Sequence, residues 1–157
     1  KLYAHVADYP QVDIQALPFG DGAWHIVVAD QVLEHVEHPW LAADEIYRVT
    51  APGGLAIVAT PIILGVHPNP IDCWRIMPDG YKVLFPSLRW DWVTFGTWGN
   101  QKIVYESHIS TRARGFSGDW IAFADRDRDI PSWASPPDDV FPVVAWWIGR
   151  KRCSAAL

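Results

Sequence analysis

Residues 13–54 read DIQALPFGDGAWHIVVADQVLEHVEHPWLAADEIYRVTAPGG, and the order of their parts decides the fold. Asp13 stands four positions before Leu17-Pro18-Phe19. Gly20-Asp21-Gly22 is turn chemistry, because glycine reaches the backbone angles a tight turn needs. Residues 24–29 (WHIVVA) are a short, continuous apolar run between turn residues, the pattern of a strand covered on both faces. A short acidic helical segment around Glu34 follows. Pro39 sits where a first helical turn tolerates proline, since the missing N–H would be unpaired there anyway. Leu41, Glu45, Ile46 and Val49 recur at helical spacing, with Asp44 and Arg48 on the other side. Pro52-Gly53-Gly54 ends that helix, and residues 55–60 (LAIVAT) give the next buried strand. Strand, helix and strand with short connections predict a βαβ unit in a parallel sheet.

Outward from this unit the signals are simpler. Residues 2–7 alternate weakly and predict a short strand ending at Asp8 and Pro10. Residues 61–70 form a loop with three prolines, a glycine and His67. Pro78 opens a short helix through Tyr81, Val83 and Leu84. Residues 90–95 alternate as a strand, and residues 140–148 are apolar apart from Pro142; paired antiparallel, these two close a mixed sheet. Residues 101–139 are polar and proline-rich, with a helical turn expected at residues 118–124.

The 157 residues suit a single domain, and half of them are hydrophobic, enough for a real core. A net charge of −5 with scattered basic residues argues against a nucleic-acid surface. The one tight basic cluster, Arg150-Lys151-Arg152, reads as a solvated tail. Cys73 and Cys153, far apart, form neither a disulfide framework nor a zinc pattern, which fits a reduced, cytoplasmic setting. There is no apolar run of about 18 residues, the length a membrane helix requires. Ten tryptophans predict a heavy aromatic core and a large interface. The chain begins at Lys1 rather than Met and is expected to be a fragment or processed product.

In an open α/β sheet, ligands bind at the carboxyl ends of the strands. Three such ends are readable: residues 13–19, residues 30–35 and residues 60–67. The βαβ arrangement turns all three to one crevice.

The ordered motifs quoted above resemble the second half of the nucleotide-binding domain of class I S-adenosylmethionine (SAM)-dependent methyltransferases, of the type 11-like group. His67-Pro68 with Asp72-Cys73-Trp74-Arg75 is similar to a subgroup carrying a His-Pro…Asp-x-Trp-Arg segment after this strand. The resemblance implies an α/β fold, a Rossmann-like mixed sheet, N-terminally truncated, with a C-terminal antiparallel strand pair. It implies SAM as cofactor and methyl transfer to an acceptor, a small molecule before a macromolecule. By the same resemblance Asp13 approaches the adenine amino group, flanked by Ile14 and Leu17. Asp8 is placed like the acid that grips the ribose hydroxyls, and Asp30 and Gln31 line the crevice. His35 is the candidate general base, since an imidazole near its ordinary pKa works at neutral pH. His67, Asp72 and Arg75 are substrate-side candidates.

Other readings stand beside these. Asp13 and Asp8 fit turn acids, His35 fits a helix residue bonded to backbone, and Asp72 with Arg75 fits an ion pair ordering its loop. Glu34, His35, His38 and His67 raise the question of a metal. Gln31, where such a site would want another acid, reads against one. The family's glycine-rich loop has no counterpart in the chain, and the usual Phe-Asp before the strand at 24–29 is Trp24-His25. A half-domain would expose a sheet edge and face. A non-catalytic, self-associating module, expected as a homodimer, is therefore the alternative function.

Overall fold

The computed structural model describes residues 5–68, 70–99 and 143–153. The helical turn expected at 118–124, the polar stretch at 101–139 and the start of the strand expected from residue 140 lie outside them.

Four strands form one sheet: β1 (Trp24–Asp30), β2 (Thr50–Pro61), β3 (Trp90–Trp98) and β4 (Val144–Lys151), in the order β1-β2-β4-β3. β1 and β2 are parallel, with Val28 beside Ile57 and Asp30 beside Ala59. β4 lies antiparallel between β2 and β3, pairing Val58 with Trp147 and Thr94 with Ile148. The parallel unit and the closing antiparallel pair are thus as the sequence predicts. A 3₁₀ turn (Leu33–His35), helix α1 (Pro39–Val49) and helix α2 (Pro78–Leu84) connect them. No helix among the described residues is long and apolar enough to cross a membrane.

Several expectations are corrected. Of the strand expected at residues 2–7, residues 5–7 are not in a strand, and residues 2–4 lie outside the described residues. The buried ridge of α1 is Pro39, Ala42, Ala43, Ile46 and Val49, and Leu41 is exposed. Two small alanines let the helix lie close on the sheet, and the larger leucine is turned away. Pro52-Gly53-Gly54 does not separate helix from strand. β2 starts at Thr50, and the register jumps from the Trp24–Thr50 pair to the Ile26–Leu55 pair, so the tripeptide is an irregularity inside the strand. Glycine is needed there: Gly53 has a φ of +76°, and a Cβ on Gly54 would stand 2.8 Å from the His25 carbonyl oxygen.

β1 is covered on one face only, not both. Ala29 is buried toward α1, whereas Ile26 and Val28, on the opposite face, are 59% and 61% exposed. The basic cluster is not a tail either. Lys151 ends β4 and donates from Nζ to the Tyr47 and Thr50 carbonyls, both at 2.7 Å, at the C-terminal end of α1. A cation is favoured there because the last helical carbonyls lack intrahelical donors. Arg150 pairs with Asp91 at 2.9 Å.

The core's heaviest part is aromatic. The rings of Phe85 and Trp147 stack at 4.3 Å, and Trp90 meets Trp147 edge-on at 4.9 Å. Tyr81 is fully buried beside them. Its hydroxyl donates to the Ala145 carbonyl and takes part in a 2.7 Å hydrogen bond with Thr60, so the polar atoms brought into the core are paired.

Candidate functional site

A groove of about 1010 Å³ lies between residues 5–19 and β1, along most of the strand from Trp24 to Ala29 and on past its carboxyl end. Its wall includes Asp8, Asp13, Ile14, Leu17, Gln31 and His35, six of the residues singled out in the sequence. Pro70 and Ile71 add a contribution from the loop after β2. Residues 13–19 and the segment after β1 thus share one groove, whereas residues 60–67 do not line it. Asp30 also ends β1 but is not part of the groove wall; it is exposed, with the Gln31 amide 3.4 Å from its carboxylate.

Local chemistry explains how this wall is held. Asp13 accepts from the Gln15 backbone N–H at 2.8 Å, an Asx-type turn, and is exposed beside the groove. Gln31 has a φ of +54°, uncommon for a side chain with a Cβ, at the point where the chain leaves β1. Its backbone N–H still donates to the Ala59 carbonyl at 2.9 Å.

The segment around Leu17 is fixed by an ion pair on α1 between Glu45 and Arg48, two residues expected from the sequence on opposite sides of the helix. Glu45 accepts the Leu17 N–H at 2.7 Å. Arg48 donates to Glu45 at 2.6 Å, to the Phe19 carbonyl at 2.6 Å and to the Leu17 carbonyl at 3.0 Å. The hydrogen bond from Arg48 holds the Glu45 carboxyl below the ordinary range. One carboxylate and one guanidinium thus satisfy three backbone groups that the loop cannot pair by itself.

Behind the groove, the loop after β2 folds back onto the 3₁₀ turn. The Cys73 N–H donates to the Glu34 carbonyl at 2.8 Å, and the Trp74 indole N–H donates to the Val36 carbonyl at 2.8 Å. His67, Asp72 and Arg75 come together there and are not part of the groove wall. Asp72, with its side chain 2% exposed, receives both Arg75 terminal nitrogens, one at 2.8 Å, and the His67 backbone N–H at 3.0 Å. Arg75 holds the Asp72 carboxyl far below the usual carboxylate range.

This folding brings Glu34, His35 and His67 to one place. Glu34 is fully buried, and neither of its carboxylate oxygens has a hydrogen-bond partner among the described residues. Burial pushes its carboxyl above the ordinary value, partly offset by its own backbone N–H and by the charges of His35, His67 and Arg75. The His35 ring lies edge-on to the His67 ring at 4.8 Å. His35 Nδ1 bonds the Ile71 carbonyl, so Nδ1 carries the proton and Nε2 keeps the lone pair; Nε2 stands 3.7 Å from Glu34 Oε1. His67 Nδ1 lies 3.0 Å from the Gly65 carbonyl oxygen, which sets the same tautomer. His38 is elsewhere, facing Gln15. The burial of Glu34 had no sequence signal beyond its place beside Leu33 and Val36.

A parallel strand pair extended by two antiparallel strands, with a groove beside the first of them, is a Rossmann-like mixed α/β arrangement. Comparison with known proteins agrees. Residues 2–58 match the methyltransferase domain family. An uncharacterized methyltransferase of Mycolicibacterium gilvum is 37% identical over 65 residues, 41% of this chain and 26% of that protein. A SAM-dependent methyltransferase of Thermotoga maritima shares the fold with a TM-score of 0.54 at 12% identity, over 88% of this chain and 61% of that one. A phosphoethanolamine N-methyltransferase of Haemonchus contortus, in complex with phosphomonomethylethanolamine and S-adenosylhomocysteine, does so at 0.51 and 11%, over 90% of this chain and 36% of that one. Residues 2–58 are thus similar to the methyltransferase domain family, the solved structures share the fold, and the matched part spans about a quarter of the length of the curated relative.

Proposed function

We propose that this chain carries the adenosine-binding part of a SAM-dependent methyltransferase. The observation that carries the reading is the groove, on which Asp8, Asp13, Ile14, Leu17, Gln31 and His35 converge. Its chemistry fits an adenosine: the carboxylates accept from amino and hydroxyl groups, and Ile14, Leu17 and Val32 offer apolar surface to a purine. SAM, when bound, supplies an electrophilic methyl group on a sulfonium. This chain's residues then position the reactants, which is the main source of rate in such a transfer. An acceptor oxygen or nitrogen that must lose a proton gives it to His35 Nε2, the unprotonated ring nitrogen. In this reading the acceptor is a small molecule and the location cytoplasmic, a setting with which the unpaired Cys73 and Cys153 are compatible.

Calorimetric titration with SAM and S-adenosylhomocysteine tests this. One site per chain with micromolar affinity is expected, weakened at least about tenfold in Asp13→Ala, the cost of one lost hydrogen bond to a ligand. Binding unchanged in that variant, or absent in the parent chain, contradicts the assignment. Glu45→Ala touches no ligand but frees residues 17–19 from α1. A fall in SAM affinity of about tenfold is expected, with the far-UV circular dichroism retained and amide exchange at Leu17 accelerated.

A second reading is favoured by Ile26 and Val28, more than half exposed on an edge strand. A face of this kind promotes self-association, and a non-catalytic dimer is the corresponding function. Sedimentation over a concentration series separates the two: a monomer at high concentration removes the dimer reading.

A further inference from the structure

We propose that Glu34, His35 and His67 form a binding site for a divalent first-row transition metal ion such as Zn²⁺. One ligand atom from each residue lies within 4.8 Å of the others, a spacing that a small inward movement of side chains converts to a coordination shell. The independent observation is Glu34. Its carboxylate is completely buried, and both oxygens lack a hydrogen-bond partner among the described residues. A buried acceptor-only group in that condition is costly unless something positive or a proton satisfies it. His35 Nε2 at 3.7 Å is too far for a hydrogen bond, and Arg75 is committed to Asp72.

The surroundings are those of a ligand set. A metal-bound imidazole usually donates its second ring N–H to a carbonyl or carboxylate, which fixes the tautomer and ring orientation. Both histidines do so: His35 Nδ1 to the Ile71 carbonyl, and His67 Nδ1 to the Gly65 carbonyl with Asp72 at 3.5 Å. Two imidazoles and one carboxylate suit Zn²⁺, Co²⁺ or Fe²⁺ better than Mg²⁺ or Ca²⁺, which prefer oxygen ligands only. Three protein ligands leave a fourth position open, the arrangement of a catalytic rather than a structural site. His35 belongs to both the trio and the groove wall, so the site adjoins the groove. In the ion-bound protein the His35 lone pair is spent on the metal. A bound ion would lower the pKa of a coordinated hydroxyl enough for its proton to pass to solvent water, so that His35 would not be needed as the base. The site therefore goes beyond the cofactor assignment and does not depend on it.

The test uses Co²⁺ and Zn²⁺ alone, with no SAM, on the whole chain stripped with chelator. One equivalent of Co²⁺ is expected to bind with the intense visible bands of a four-coordinate ion, to be displaced by Zn²⁺, and to raise the melting temperature. Glu34→Gln and His67→Gln are each expected to weaken binding by at least about tenfold. His67 sits on a half-buried loop, so its variant tests the site even if the Glu34 variant fails to fold. No Co²⁺ or Zn²⁺ binding by the parent chain, with Glu34 simply protonated, overturns the proposal. So does binding that neither variant weakens, which would place the ion elsewhere. SAM titration of the stripped protein reports on the cofactor groove separately.

Discussion

Trp147→Ala is expected to destabilise the chain by about 4 kcal/mol, the upper range for truncating a buried aromatic. Against a total of about 5–15 kcal/mol for a domain this size, that leaves a marginal fold. Trp147 is fully buried, stacks on Phe85, abuts Trp90 and lies in the strand that joins the parallel pair to β3. Its indole also lies across Gly149, where a Cβ would come within 2.2 Å of the ring. Urea denaturation is the measurement: a large drop in midpoint for Trp147→Ala, and little change for Trp40→Ala, whose ring is 49% exposed. Equal effects of the two would show that the aromatic cluster is not the core. Gly149→Ala is the converse case, overpacking the same contact at a cost of about 1–3 kcal/mol.

Asp72→Asn is expected to cost about 2 kcal/mol, below the usual range for breaking a buried pair because Arg75 is a quarter exposed and regains water. The variant also loosens His67, whose backbone N–H bonds the same carboxylate. The pH dependence has a definite sign. Arg75 depresses the Asp72 pKa in the folded chain, so the folded state holds this proton less readily than the unfolded state. The pair's stabilisation is complete above about pH 4, the ordinary carboxylate value, and is lost as pH falls below it. Stability profiles from pH 7 to pH 3 are expected to fall less steeply in Asp72→Asn than in the parent. Parallel profiles would mean that the pair contributes nothing measurable.

Much of the fold was legible because it rests on local signals. Gly20-Asp21-Gly22, the apolar run at 24–29 and Pro39 gave β1 and the start of α1 to within a residue. Pro78 marked α2, and the alternation from Trp90 marked β3. The failures share a cause. Strand bounds around Pro52-Gly53-Gly54 depend on what β1 pairs with, and a turn-like tripeptide inside a strand is invisible to propensity. The covered faces of β1 and α1 depend on which neighbours are present. Periodicity alone cannot tell that Leu41 faces out and two alanines face in.

The candidate site divides in the same way. The residues at strand ends were named from order alone, because a parallel sheet brings its carboxyl ends to one side whatever the side chains are. Asp8, Asp13, Ile14, Leu17, Gln31 and His35 meet on that basis. What the chain's order could not supply is the environment of each group. Residues 33 positions apart, Glu34 and His67, meet only because the loop after β2 folds back and hydrogen-bonds the 3₁₀ turn. The burial that leaves the Glu34 oxygens unpaired comes from packing. The three carbonyls near the end of α1 take Lys151 from more than a hundred residues away. The sequence by itself determined the elements and the side of the sheet on which they end, since these follow from short-range periodicity and turn chemistry. The tertiary structure alone decided which polar groups are buried, which are paired and which lack a hydrogen-bond partner among the described residues, since solvation and pairing depend on neighbours distant in the chain.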